Sequence, residues 1–374
     1  QGVATGADLA MGPMSMEVSN LEYLKYLGYY CKKNNERLVI NMSFGQNVGP
    51  HDGSDVYTQA LNEIIKQYDI VACMSAGNQA NLQIIQKKTL ESDEDEMRAI
   101  YNTTASIDCI DQYVTTSNPS PINMDIVIVR LKTKEIYATY PLIVNGVAQD
   151  VIANDNYLSA HIYAAEETIH DGLKGYTVKS DDAKMVKSGY RIGYVIKGES
   201  GQELASYSSS VCPYYLKTDG WNENITSNGT ILNEACGEET IIVGAYVSNE
   251  SATFKSGTRT IYGNYKTAYG CNTNDILSSS SFGTTYTGED LPHICAPGAY
   301  IESAANRYET VNTSLTRTVT DGTASVPFCS KMGTSMSSPY MAGVAALWLE
   351  ANPLLTHQEI KEIAMKTAIN DKAC

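Results

Sequence analysis

The chain has 374 residues, more than a single hydrophobic core usually serves, so two domains are expected. Its 42 acidic and 27 basic residues give a net charge of −15 at pH 7, which argues against nucleic-acid binding. No segment approaches the ~18 uninterrupted apolar residues of a membrane-spanning helix, so no membrane span is predicted. The nine cysteines show no paired metal-ligand spacing, and neither a metal nor a cofactor is predicted.

Residues 1–98 alternate predicted strands and helices. The predicted order is a strand near 7–11, a helix around 18–34, a strand at 37–43, a helix around 54–68 and a strand at 70–75. Strands separated by helices indicate an α/β fold with a parallel sheet. Ligand sites in such sheets lie at the carboxyl ends of strands. We therefore expect Ser43–Gly45 and Asn78, which follow two of these strands, to lie at one edge.

Residues 99–232 have a different pattern of short strand-like runs separated by turn signals. The runs are 125–131, 136–140, 161–164 and 191–197, and the turn signals are Asn145-Gly146, Asp171-Gly172 and Ser200-Gly201. Many short strands with regular turns predict an inserted all-β domain of the jelly-roll or sandwich type. Within it, Tyr214, Tyr215 and Trp221 form either a binding face or part of a packed core. The packed core is favoured because aromatic residues dominate core burial.

Residues 233–374 return to the α/β pattern and end in two predicted helices. The first follows Gly333 and carries Met336, Tyr340, Met341, Val344 and Trp348 at spacings of three and four, which predicts one buried face. The second spans 356–367, where Thr356 and Glu359 form a capping box.

The segment Gly-Thr-Ser-Met-Ser-Ser-Pro at 333–339 places Ser335 at the first turn of an apolar helix. The unpaired N–H groups and positive dipole end of such a helix suit a nucleophile whose attack creates an oxyanion. An ordinary Ser/Thr helix cap is the alternative for an isolated Thr-Ser pair.

The heptapeptide at 333–339 resembles the nucleophile motif of the subtilisin-like serine proteases, the subtilases of the peptidase S8 family. The Ser-Phe-Gly at 43–45 and the Ser-Ala-Gly-Asn at 75–78 are similar to two further motifs of that family. Other similar segments, in the correct order, are 2–10, 240–247, 280–283 and 291–298. The resemblance covers roughly residues 1–85 and 235–370, and it implies a three-layer α/β/α fold with a mostly parallel sheet.

The resemblance also implies a serine endopeptidase that acts on protein or peptide substrates through an acyl-enzyme and is secreted or held at the cell surface. Ser335 would be the nucleophile and Asn78 the side-chain donor of the oxyanion hole. The substrate-binding positions would be Ser43, Phe44, Gly45, Gly77, Gly333 and Thr334.

The aspartate and histidine motifs of the family do not occur in this sequence. We interpret the chain as an internal fragment whose base and orienting carboxylate come from an upstream segment of the same protein, so that the chain alone is inactive. His51 and Asp52 are adjacent, but triad members are recognised by geometry and not by adjacency. His161, His170, His293 and His357 are expected to be structural or exposed. Two other hypotheses are a pseudoprotease scaffold and a binding protein that acts through its β insert.

Overall fold

The computed structural model describes most of the chain. The described residues are 2–12, 20–102, 110–152, 158–180, 184–185, 188–210, 214, 220–249, 251–256, 259–264, 271–285, 287–306, 315–321 and 324–369. Their α-helices are α1 (Asn20–Asn34), α2 (Val56–Tyr68), α3 (Thr334–Ala351) and α4 (His357–Thr367).

The strands are β1 (Val39–Met42), β2 (Val71–Ser75), β3 (Ile85–Thr89), β4 (Glu96–Ile100), β5 (Ile110–Thr116), β6 (Asn123–Arg130), β7 (Ile136–Pro141), β8 (Val147–Ile152), β9 (Leu158–Thr168), β10 (Lys174–Ser180), β11 (Lys184–Met185), β12 (Tyr190–Lys197), β13 (Glu203–Ser208), β14 (Ile241–Tyr246), β15 (Ser251–Ser256), β16 (Arg259–Asn264), β17 (Gly283–Thr284), β18 (Asp290–Leu291), β19 (Ile294–Pro297), β20 (Ile301–Ala304), β21 (Leu315–Asp321) and β22 (Ala324–Lys331).

One sheet is parallel and has the strand order β1-β2-β14-β19. Every residue of β2 is buried, as expected for a strand with helices on both faces. Ala72 and Met74 share one buried cluster with α1 and α2. Val71 and Cys73, which point to the opposite face, share another with α3 and α4. The parallel sheet predicted from residues 1–98 is therefore present.

The other sheets are antiparallel. One has the order β11-β9-β10-β5-β13-β3 with β8 paired to β9, and another has the order β4-β12-β6-β7. A single buried cluster takes side chains from both of these sheets. Tyr214 is 1% exposed and Trp221 is 2% exposed, so both pack in the interior and do not form a binding face. Tyr215 lies outside the described residues.

The remaining strands form small antiparallel units, β15-β16, β17-β18 and β20-β22-β21. The predicted turns are also formed, because Gly146, Gly172 and Gly201 have φ of 73°, 75° and 82°. These values lie in the region that glycine adopts without steric cost.

The predicted strand near 7–11 is not formed. Its apolar residues Leu9 and Met11 are 96% and 91% exposed. In the described part of the chain β1 pairs only with β2, so segment 7–11 has no ladder partner. A strand requires a hydrogen-bonded neighbour, and the sequence of segment 7–11 by itself does not supply one.

The buried face of α3 is centred differently from the predicted one. Met341, Ala345 and Leu349 are its buried apolar residues, whereas Tyr340 is 40% exposed. Val344 and Trp348 are only partly buried against the same cluster. The buried residues Met341, Ala345 and Leu349 are spaced by four and form one line along the helix, and Tyr340 and Trp348 lie beside this line. The predicted cap of α4 is confirmed, because Thr356 and Glu359 form both bonds of a capping box.

Candidate active site

Ser335 is the second residue of α3, in the first turn of the helix. Its side chain is partly exposed, and neither its hydroxyl nor its N–H has a hydrogen-bond partner among the described residues. The first N–H groups of a helix lack helical acceptors and carry the positive end of the dipole. Ser335 therefore combines an unengaged hydroxyl with an N–H that can stabilise nearby negative charge.

Asn78 lies beside the start of this helix, three residues beyond β2. The N–H of Thr334 donates to Asn78 Oδ1 at 2.9 Å, and the Thr334 hydroxyl lies 3.3 Å from the same oxygen. Because a backbone N–H can only donate, the atom facing it must be the amide oxygen. Asn78 Nδ2 has no hydrogen-bond partner within the described residues. The amide is thus oriented through its oxygen, and its two N–H groups remain available to a ligand.

Two glycines, Gly333 and Gly77, allow Asn78 to lie close to the start of α3. Gly333 has φ +126°, and a Cβ at this position would lie 2.9 Å from Asn78 Oδ1. Gly77 has φ +113°, and a Cβ there would lie 2.7 Å from Gln79 Oε1. The N–H of Gly77 also donates to the Thr334 hydroxyl at 3.2 Å. Both positions require glycine because of backbone conformation and close contacts.

The start of α3 is also fixed from β19. The Gly333 N–H donates to the Gly298 carbonyl at 2.9 Å. A Cβ on Gly298 would lie 2.6 Å from Ser337 Oγ and 2.5 Å from Ala245 Cβ. This packing holds the helix start against the carboxyl ends of β14 and β19.

Ser43 reaches the same helix from the end of β1. Its hydroxyl donates to the Ser335 carbonyl at 3.1 Å and accepts from Asn41 Nδ2 at 3.1 Å. That carbonyl cannot receive the usual helical bond because Pro339, four residues later, has no N–H. The Ser43 side chain therefore satisfies an acceptor that proline leaves open.

The space beyond Gly45 is occupied by residues that the sequence analysis did not identify. A Cβ on Gly45 would lie 2.9 Å from both Leu232 Cδ1 and Glu234 Oε2. The N–H of Gln46 donates to Glu234 Oε2 at 2.9 Å. Burial raises the pKa of Glu234, although this hydrogen bond opposes the shift. The sequence around Gly45 does not predict the contact with Leu232 and Glu234, because these residues lie almost 190 positions further along the chain.

The predicted site residues fall into two groups. Ser335, Thr334, Gly333, Asn78, Gly77 and Ser43 are joined by direct contacts. Phe44 instead packs, partly buried, against the cluster that contains α1 and α2. Gly45 is exposed at the end of β1 beside Leu232.

None of the five histidines is hydrogen-bonded to Ser335. His51 is buried, its Nε2 lies 2.8 Å from the Asn47 carbonyl, and its ring stacks on Tyr207. Burial lowers the pKa of His51 to about 4, so its ring is neutral at pH 7. Asp52 pairs with His170, which is 118 positions away, and not with His51. The other pairs are His161 with Asp150, His293 with Glu289, and His357 with Asp69 and Glu239.

Among the described residues, no group of three or more His, Cys, Asp or Glu side chains is arranged to hold a metal ion. The helices there are also too short or too polar to span a membrane.

Comparison with known proteins identifies the family. The model of the subtilase family, peptidase S8, matches residues 1–373. The chain belongs to the subtilase family.

Two individual proteins illustrate the similarity. Serine protease AprX of Bacillus subtilis (strain 168) is 31% identical over 134 residues, which cover 36% of this chain and 26% of AprX. The structure of the Clostridium perfringens CspB protease aligns with a TM-score of 0.65 and 17% identity, covering 94% of this chain and 64% of that one. The match spans about a quarter of AprX, and the structural likeness to CspB supports a subtilisin-like fold.

Proposed function

We propose that this chain carries the nucleophile and the oxyanion hole of a serine endopeptidase. The observation that carries the proposal is the hydrogen bond from the Thr334 N–H to Asn78 Oδ1 at 2.9 Å. This bond orients the amide so that Asn78 Nδ2 remains available as a donor near Ser335. Family membership over residues 1–373 supports a peptidase in general.

In the proposed reaction, Ser335 Oγ attacks the carbonyl carbon of the scissile peptide bond. A histidine takes the hydroxyl proton and later gives it to the leaving amine as the C–N bond breaks. The Ser335 N–H and Asn78 Nδ2 stabilise the negative oxygen of the tetrahedral intermediate. Water then hydrolyses the acyl-enzyme and regenerates the serine.

The base and its orienting aspartate are proposed to come from an upstream segment of the same protein. The five histidines of this chain support this, because none is hydrogen-bonded to Ser335 and their neighbours are the carbonyl and carboxylate groups described above. The same observation favours a second candidate, a pseudoprotease that keeps the fold as a scaffold. The peptidase and the pseudoprotease are distinguished by whether the upstream sequence of the parent protein carries the aspartate and histidine motifs of the family.

Peptide substrate is proposed to lie along Ser43–Gly45, with Gly77, Gly333 and Thr334 forming the wall next to the nucleophile. The location of these residues at the carboxyl ends of β1 and β2 supports this placement. The helices on both faces of the parallel sheet support a three-layer catalytic domain formed by 1–98 and 233–374. The cluster shared by the two large antiparallel sheets supports a sandwich-like insert at 99–232, although β3 already begins at Ile85.

Secretion or surface display is proposed from the family resemblance alone.

Labelling with a fluorophosphonate tests this function, because such a probe reacts with a serine that a base activates. The parent protein with its upstream segment is labelled and mapped by peptide mass spectrometry. We expect the label on Ser335, its loss in Ser335→Ala and its retention in Ser338→Ala. Ser338 is a matched control because it lies in the same helix and its buried hydroxyl has no hydrogen-bond partner in the part of the chain that the structure describes. An unlabelled Ser335 in a folded parent protein would contradict the peptidase function and favour the pseudoprotease scaffold.

A further inference from the structure

A cavity of about 390 Å³ lies apart from Ser335, between the β3-β13-β5 face and three loops of the chain. Its floor comes from alternate residues of those strands, because Lys87 lies opposite Ala205, Thr89 opposite Glu203, and Thr115 opposite Ala205. Its walls are residues 50–52, 169–170, 173 and 284–285. None of its lining residues belongs to the Ser335 site, and the volume is within the range of small-molecule sites.

Tyr207 supplies an unsatisfied donor to this cavity. The residue is 7% exposed and its ring stacks on His51 with centroids 4.0 Å apart. Its hydroxyl has no hydrogen-bond partner within the described residues, and the oxygen is not fully enclosed by protein atoms. Burial raises the pKa of Tyr207 well above its ordinary value, so the hydroxyl keeps its proton. The hydroxyl of Tyr207 is therefore a protonated, accessible donor in a residue that lines the cavity, and a ligand there can accept its hydrogen bond.

Lys87 and Glu203 supply two opposite charges. Neither side chain forms an ion pair among the described residues, and they occupy diagonal positions on neighbouring antiparallel strands. Diagonal neighbours lie about 7–8 Å apart, a distance that long side chains can span, and yet these two side chains are not paired with each other. Both side chains are exposed to solvent, and desolvation by the surrounding protein lowers the pKa of Lys87. The other charged groups of the lining are matched, Lys88 with Asp95 and Asp52 with His170.

We propose that this cavity binds a small zwitterion of dipeptide size. The carboxylate of the ligand would form an ion pair with the Lys87 ammonium and accept a hydrogen bond from the Tyr207 hydroxyl. The ammonium of the ligand would form an ion pair with the Glu203 carboxylate. An extended dipeptide spans about 7 Å between its termini, which is on the scale of the ~7–8 Å between diagonal neighbours on adjacent strands, the positions that Lys87 and Glu203 occupy. Apolar atoms of Ile169 and Leu173 would contact its side chains. The proposal does not depend on the peptidase reaction.

Isothermal titration calorimetry with four forms of one peptide tests the charge requirement. The protein carries Ser335→Ala, so that no ligand is hydrolysed. The probes are unblocked Ala-Ala, its C-terminal amide, its N-acetyl form and the doubly blocked form. We expect saturable binding of unblocked Ala-Ala, about tenfold weaker binding of each singly blocked form, and no binding of the doubly blocked form. Equal binding of all four forms, or no binding of unblocked Ala-Ala, would overturn the proposal.

Variants assign each charge to its partner. Lys87→Gln should weaken unblocked Ala-Ala about tenfold but leave the C-terminal amide unchanged, since the amide has no carboxylate to lose. Glu203→Gln should weaken unblocked Ala-Ala and leave the N-acetyl form unchanged. Tyr207→Phe should weaken the two forms that carry a carboxylate. Lys25→Gln on α1 is the surface control and should bind as the parent does; thermal melts confirm that each variant is folded. Unchanged affinity in both charge variants would contradict the assignment.

Discussion

The hydroxyl of Ser43 donates a hydrogen bond to the carbonyl of Ser335 at 3.1 Å, which links the end of β1 to the first turn of α3. Pro339 creates the need for this bond, because it removes the helical N–H that would otherwise reach the same carbonyl. Two residues almost 300 positions apart in sequence thus fix the orientation of the candidate nucleophile.

The first prediction concerns that link. Ser43→Ala should lower the free energy of unfolding by about 1 kcal/mol, because it leaves a part-buried carbonyl without a donor. In a Pro339→Ala background the helix regains an N–H for this carbonyl, so the same substitution should cost less. Urea unfolding of the four proteins measures the coupling. An equal cost of Ser43→Ala in both backgrounds would show that proline does not create the need for Ser43.

The second prediction concerns the contact between Gly333 and Asn78. Gly333→Ala adds a Cβ 2.9 Å from Asn78 Oδ1 at a backbone φ of +126°. Gly288→Ala is a matched control, since Gly288 has φ +86° and no atom within 4 Å of the added Cβ. The control should cost about 1 kcal/mol for backbone strain alone, and Gly333→Ala should cost more, because Asn78 must move and because φ +126° with ψ 170° is a conformation essentially restricted to glycine. Equal costs in urea unfolding would mean that Asn78 moves without penalty.

The third prediction concerns acid stability at His357. Its Nδ1 lies 2.7 Å from Asp69 Oδ1, and its Nε2 lies 2.8 Å from Glu239 Oε2. Burial opposes ionisation of both carboxyls, but hydrogen bonds from His357, with the charges of Arg37 and Lys66, lower the pKa of Asp69 and of Glu239. Since folding lowers these pKa values, the stabilisation is present above the ordinary values of about 4 and is lost as pH falls through the lowered ones.

Urea unfolding between about pH 3 and pH 7 measures this effect. His357→Gln should be less stable than the parent at neutral pH and should lose less stability on acidification. His161→Gln is the control, because His161 and Asp150 form an exposed pair. Its acid dependence should follow the parent. Parallel curves for His357→Gln and the parent would show that the two carboxyls are not linked to folding through this histidine.

The sequence predicted structural features that are formed by residues close together in the chain, and it did not predict features that depend on distant residues. The capping box of Thr356 and Glu359 involves residues three positions apart, and the motif at 75–78 directly continues a buried strand. The pairing of Asp52 with His170 spans 118 positions and follows from the docking of a sheet against a loop. The strand predicted at 7–11 failed for the same reason, because its pattern says nothing about the presence of a neighbour.

Contacts in the candidate site divide in the same way. Ser335 and Asn78 could be named because each stands in a short motif that a family resemblance covers. Leu232 and Glu234 could not, since they reach Gly45 from a distant segment with no motif of its own. The exposed edge of α3 at Tyr340 was missed because spacing predicts that a face is buried but does not fix which residues approach the sheet most closely.

The last prediction tests the proposed donor directly, in a protein that includes the proposed upstream segment. Asn78→Asp keeps an oxygen for the Thr334 N–H, which now lies 2.9 Å from Asn78 Oδ1, but replaces the Nδ2 donor with a negatively charged acceptor. If Asn78 stabilises the oxyanion, kcat for a peptide substrate should fall by at least about 10²-fold, with KM nearly unchanged, since the interaction forms in the transition state. The melting temperature checks that the fold is intact. A folded Asn78→Asp protein with unchanged kcat would remove Asn78 from the oxyanion hole, whereas a rise in KM at constant kcat would assign it to substrate binding.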